Sequence, residues 1–261
     1  GFMIEVKKLV KTFKLPAEQV KKLGLADNVK RAVNGVSFNV NEGEIFGLLG
    51  PNGAGKTTVM RMLSTLIKPD SGDALFDGNS IVTSPEKVRG NIAFLTNELK
   101  LDGRSTANEM FEYFSDLYHL SKEQRKARKQ ELFTSFGITT FSDIAIEKLS
   151  QGMKQKLSIV ISILHDPPVI IFDEPTNGLD IMTAKEVRDF ILEMKKKKKS
   201  IIVSTHIFDL IEKTCDKVGF IIDGKLVYEN YLKAIEEKGG LEDFFFDVYE
   251  KCKGNNGGEG L

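Results

Sequence analysis

The run Gly50-Pro51-Asn52-Gly53-Ala54-Gly55-Lys56-Thr57-Thr58 contains the spacing Gly-x₄-Gly-Lys-Thr, which suits a loop that wraps a polyphosphate. Glycines allow backbone turns closed to other residues, so successive N–H groups can face phosphate oxygens at a helix N-terminus. Lys56 adds a mobile cation and Thr57 a hydroxyl for Mg²⁺. Two further clusters could do chemistry with a bound phosphate: Asp173-Glu174 after the apolar run Val169–Phe172, and Ser204-Thr205-His206 after Ile201–Val203.

These groups need elements to hold them. Ile45–Leu49, just before the glycine loop, reads as a buried strand. Met60, Leu63, Leu66 and Ile67 recur at helical spacing after it, and Pro69 stops that helix. Val169–Phe172 and Ile201–Val203 read as buried parallel strands, separated by helical patterns such as Ala184–Met194. Crossover connections would bring all three strand ends to one sheet edge, where open α/β sheets bind ligands. Alone, a histidine after a strand or an acidic pair opening a loop is commonplace; together and in this order they support one another. His119 and His165 lack such a context and read as structural or exposed.

With 261 residues and 41% hydrophobic composition, the chain can build a sizeable core. Lysine plus arginine equals aspartate plus glutamate at 37 each, so no global field draws it to nucleic acid or an anionic membrane. The run Lys195–Lys199 reads as the solvated end of a helix rather than a nucleic-acid patch. Cys215 and Cys252 are far apart, which predicts free thiols rather than a zinc site or a disulfide. No run of 18 apolar residues and no secretory leader is present, so the expectation is a cytoplasmic protein. Gly1-Phe2 and Gly254–Leu261 read as frayed tails.

One more segment is Leu149-Ser150-Gln151-Gly152-Met153-Lys154-Gln155-Lys156, followed by Leu157, Val160, Ile161 and Leu164 at helical spacing. Here the chain resembles the ATP-binding cassette (ABC) ATPases, whose Leu-Ser-Gly-Gly-Gln signature appears as Leu149–Met153. The resemblance covers Ile4 to Lys251. It implies an α/β fold: a P-loop NTPase core with an antiparallel β subdomain and an inserted α-helical subdomain. The implied divisions are a core over 1–96 and 166–236, a helical signature subdomain over 97–165, a C-terminal helix over 237–252 and a flexible tail over 253–261.

Carried over by position, the resemblance implies ATP and Mg²⁺ as cofactors. Gly50–Gly55 would cradle phosphates, Lys56 would reach the β- and γ-phosphates, and Thr58 would lie near the α-phosphate. Thr57 and Asp173 would hold Mg²⁺, joined by Asn97, which stands where the family usually has a glutamine. Glu174 falls on the catalytic base and His206 on the histidine that contacts the γ-phosphate. Ser150, Gln151, Gly152 and Asp180 would face nucleotide across a dimer of two cassettes. Phe13 is the candidate to stack on adenine, with a buried core position as the competing reading. Met153 departs from the signature's closing glutamine, and Lys14–Arg31 forms a lysine-rich insertion that reads as a solvated excursion.

Within the family the chain looks most like subunits of bacterial sodium-efflux and drug-export transporters, with a separate membrane permease subunit. Cytoplasmic placement, peripheral on the inner membrane face, follows from that likeness. Leu99, Leu101, Phe111 and Phe114 are candidates to meet the permease, with core packing the competing reading for the two phenylalanines, and Leu241–Glu250 reads as a short amphipathic helix. The rival class is a soluble cassette acting on a nucleic-acid or ribosomal partner.

Overall fold

The structure is a computed structural model and describes residues 1, 3–96 and 101–256. Strand β2 (Val29–Val40) buries Val33, Val36, Phe38 and Val40 and exposes residues between them, the pattern of a sheet with one covered face. It pairs antiparallel with β1 (Ile4–Lys14), and α1 (Ala17–Leu23) lies between the two in the chain. Next come β3 (Ile45–Leu49), α2 (Lys56–Leu63), β4 (Ser71–Phe76), β5 (Asn79–Ser80), α3 (Pro85–Gly90) and β6 (Ile92–Thr96). A helical stretch follows, α4 (Ala107–Leu117), α5 (Lys122–Ser135) and α6 (Gln151–Ile163). Then β7 (Val169–Asp173), α7 (Ile181–Lys196), β8 (Ser200–Thr205) and α8 (Phe208–Thr214) alternate. The chain closes with β9 (Lys217–Ile222), β10 (Lys225–Tyr231), α9 (Leu232–Glu236) and α10 (Leu241–Asn256).

Two sheets result. One has the order β2-β1-β4-β5 and is antiparallel; the other has the order β10-β9-β3-β8-β7-β6 and is parallel except for β10. Strands β3, β7 and β8 are buried at every position, as a sheet covered on both faces requires. One face carries α2 and the small sheet, tied by Phe38 stacked on Phe46 with centroids 4.3 Å apart. The opposite face carries α4 to α8 and α10. Gly47 in β3 lets α8 come close: a Cβ there would meet Ile211 Cδ1 at 2.3 Å and Cys215 Sγ at 2.8 Å. The α/β class, the antiparallel second sheet and the helical insertion agree with expectation.

Several local readings change. Helix α2 stops at Leu63, because Thr65 turns left-handed at φ 65° and Leu66 N–H donates back to Arg61 O at 2.9 Å. Leu66 is therefore exposed rather than part of a helical stripe. Strands β1 and β2 run into the expected excursion, leaving only 15–28 between them. Helix α10 extends to Asn256, beyond the expected 252, and packs Phe244 and Phe245 on Phe220.

The lysine run is paired: Lys195 with Asp216, Lys196 with Glu193, Lys197 with Glu131 and Lys199 with Asp166. These pairs weigh against a nucleic-acid patch.

His165 has a definite place. Its ring stacks on Tyr118 at 4.0 Å, its Nε2 meets Ile92 O at 3.0 Å, and its buried Nδ1 has no hydrogen-bond partner among the described residues. A carbonyl only accepts, so Nε2 carries the proton of a neutral ring. Burial holds the imidazole below its ordinary pKa, and Arg128 and Lys199 act in the same direction. The unfolded chain thus binds this proton first as pH falls. The stability this gives is complete above about pH 6.5 and lost as pH drops through the folded pKa. Replacing His165 by glutamine should flatten the acid limb of a melting-temperature profile below about pH 6.5. Parallel profiles for the two proteins would contradict this assignment.

Candidate active site

Register brings the predicted groups together. Leu49 at the end of β3 pairs with Thr205, and Asp173 at the end of β7 pairs with Ser204. The glycine loop, the acidic pair and His206 therefore leave adjacent strands at one sheet edge.

The loop is shaped by close approaches that only glycine permits. At Gly50 a Cβ would sit 2.3 Å from Ile221 O; Gly55, at φ 107°, would place one 2.4 Å from Ala32 O. Helix α2 starts directly after it, so the N–H groups of Lys56, Thr57 and Thr58 lie in its first turn, where they have no partner within the helix. Lys56 is buried, donates to the carbonyls of Gly50 and Pro51, and lies 3.4 Å from Glu174 Oε1. Burial holds its ammonium below the usual lysine pKa, opposed by Glu174 and Asp173.

Glu174 adopts left-handed backbone, φ 47°, which costs a residue with a side chain about 1–3 kcal/mol. Its N–H donates to Ser204 O at 3.0 Å and meets Ser204 Oγ at 3.2 Å. His206 Nδ1 lies 3.0 and 3.1 Å from the two carboxylate oxygens of Glu174. Thr57 Oγ1 is 3.1 Å from Asp173 Oδ2, and Ser204 Oγ donates to Asp173 Oδ1.

A hydroxyl and a carboxylate side by side are hard oxygen donors, and so few protein ligands leave room for water and phosphate oxygens; this fits Mg²⁺. The sequence marks Ser204 only as part of the polar end before His206 and gives it no role of its own. Ser204 orients Asp173 and anchors Glu174 at once.

A cavity of ≈ 420 Å³ opens beside the loop. It is lined by Asn52, Gly53, Gly55, Lys56, Thr57, Thr58 and Glu174 together with Phe13, Leu15, Lys30 and Ala32. Phe13 is 42% exposed, which removes the buried-core reading.

Ser150, Gln151, Gly152 and Asp180 stand apart from this cavity. Ser150 caps α6 by accepting from Met153 N–H at 3.2 Å, and Asp180 caps α7 by accepting from Thr183 N–H at 2.7 Å. The two helix starts touch, since a Cβ on Gly152 would lie 2.9 Å from Thr183 Oγ1. Ile181 and Met182 beside them are 87% and 70% exposed. Asn97 and Leu99 lie outside the described residues. Phe111 is fully buried and packs edge-on to Phe133, so it is core and not a docking residue; Leu101 and Phe114 also pack on the core.

The profile of the family described as "ABC transporter" matches residues 33–177. The chain belongs to the ABC transporter family. Over 224 residues it is 39% identical to the ABC transporter ATP-binding protein NatA of Bacillus subtilis, covering 85% of this chain and 91% of NatA. It is 33% identical over 213 residues to the linearmycin resistance ATP-binding protein LnrL of the same species, covering 82% of this chain and 68% of LnrL. A solved ATP-binding subunit of an ABC transporter superposes with a TM-score of 0.81 at 27% identity, over 95% of this chain and 99% of that one. A dimeric cassette bound to ADP and phosphate shares the fold, with a TM-score of 0.74 at 24% identity over 87% of this chain and 98% of that one. This ABC cassette is an ATP-binding ATPase. No helix among its described residues is long and apolar enough to cross a membrane.

Proposed function

We propose that this cassette works as one of a pair, homodimeric or with a second cassette, and that it drives export of an ion or small molecule through a separate permease on the inner membrane face. The observation that carries the pairing is the separation of Ser150, Gln151 and Gly152 from the cavity next to their own glycine loop. They sit at the N-terminal end of α6, an anion-seeking terminus, with Ile181 and Met182 left uncovered nearby. A second cassette would cover both and place that terminus, with Asp180, against the first one's nucleotide. The likeness to the ABC transporter protein NatA supports transport, and the likeness to the resistance protein LnrL supports the outward direction.

In each site Gly50–Gly55 and the first turn of α2 hold the phosphates, Lys56 binds the terminal ones, and Phe13 stacks on the base. Thr57 and Asp173 would hold Mg²⁺, which would supply positive charge to offset that of the phosphates. Glu174 takes a proton from the attacking water as its oxygen bonds the γ-phosphorus and the bond to ADP breaks. His206, donating to Glu174, fixes that carboxylate and faces the γ-phosphate. On α4 the exposed Tyr113 and Leu117, 58% and 54% exposed, are a better surface for a permease helix than Phe111.

Turnover per chain should rise with protein concentration and then level off as pairs form. Full turnover by chains that sediment as monomers would overturn the paired site.

A further inference from the structure

Residues 15–28 form a tied-off module. Leu15 N–H donates to Asn28 O at 2.5 Å, which pinches its neck. Gly24 closes α1 in left-handed conformation, φ 63°, with its N–H bonded to Val20 O. A second cavity, ≈ 510 Å³, lies within the module beside Val20 and Leu25, and Leu15 lines it as well as the nucleotide cavity. Leu15 therefore borders both. Phe13 and Lys30 are direct partners across β1 and β2, so they emerge on the same face, and both line the nucleotide cavity.

We propose that this module is a wall of the nucleobase pocket, with Leu15 as its apolar face, and that it makes the cassette select purine over pyrimidine nucleotides. The proposal rests on reading the cavity as the nucleotide site. Phe13, Leu15 and Ala32 offer the base no polar side-chain atom, and Lys30 offers only a cation. Walls of this kind respond to the area of a flat ring and not to its hydrogen-bonding edge. Adenine and guanine present a larger face than cytosine or uracil. The site should accept ATP and GTP alike and discriminate against CTP and UTP.

The test is competition against a ribose-labelled fluorescent ATP by ATP, CTP and inorganic tripolyphosphate, in the wild type, Leu15→Ala and a variant with 17–27 replaced by a short Gly-Ser turn. Leu15→Ala should weaken ATP about five-fold, CTP less, and tripolyphosphate not at all, as for partial loss of one apolar side chain's contact. The ATP-to-CTP ratio should then shrink, and further in the deletion. An unchanged ratio in Leu15→Ala, with tripolyphosphate still competing, overturns the wall and leaves the phosphate cradle standing. Tripolyphosphate that fails to compete in the wild type overturns the cradle and the wall with it.

Discussion

Replacing Glu174 by glutamine should leave ATP affinity nearly intact and slow hydrolysis by about 10²–10⁴-fold, or about 2.7–5.5 kcal/mol of transition-state stabilisation, the range for loss of a general base. The two side chains have the same length, and the amide oxygen can still accept from His206 Nδ1, now 3.0 Å away. The backbone bonds from residue 174 to Ser204 are untouched by the change. What disappears is the basic oxygen, along with the negative charge 3.4 Å from Lys56. A lysine freed of that partner is at least as available to phosphate, so binding should not suffer. With the paired site assembled but unable to cleave, ATP should accumulate a stable dimer by size exclusion. A single-turnover rate equal to the wild type's would remove Glu174 from the chemistry.

Lys56→Ala should act on the other quantity. The ammonium is buried within the glycine loop, where a hydrogen bond to a charged group contributes about 1.5–3 kcal/mol. Its loss should weaken ATP roughly 10- to 150-fold in a calorimetric titration. The variant also removes a cation that offsets the charge of Glu174 and Asp173, which adds repulsion toward a polyanion. Unaltered affinity would refute the phosphate cradle, whereas the Glu174 variant tests only the bond-breaking step. Together they separate holding the nucleotide from cleaving it.

The sheet edge that carries the candidate site was legible because each strand that forms it is local. Ile45–Leu49, Val169–Phe172 and Ile201–Val203 are short apolar runs ending in polar residues, and each is a fully covered strand. Ser150 was legible as a helix opener, since a small polar residue before a helical stripe satisfies the first N–H groups.

Less visible were features decided by distant partners. Ser204 matters because β7 and β8 are in register, a pairing made across 31 residues from Asp173. The end of α2 depends on the left-handed turn at Thr65, which no apolar period reports. Leu15 reads as one residue of a solvated loop in the sequence, and only the bond from its N–H to Asn28 O, 13 positions on, fixes it at the neck of a module. Phe111 and Phe133 show the limit from the other side: helical spacing predicts an apolar stripe, but not whether it meets the core or a partner.

The left-handed backbone of Glu174 narrows what natural variation can do at that position. β-branched residues are nearly excluded from such a conformation, whereas glycine, asparagine and aspartate tolerate it best. None of these three extends a carboxylate as far as glutamate does. The position is thus poor ground for gradual tuning of speed: its accessible neighbours are mostly cassettes that still grip nucleotide and have lost their cutting edge. Lineages derived from such a chain would more readily yield nucleotide-gated switches than slower pumps.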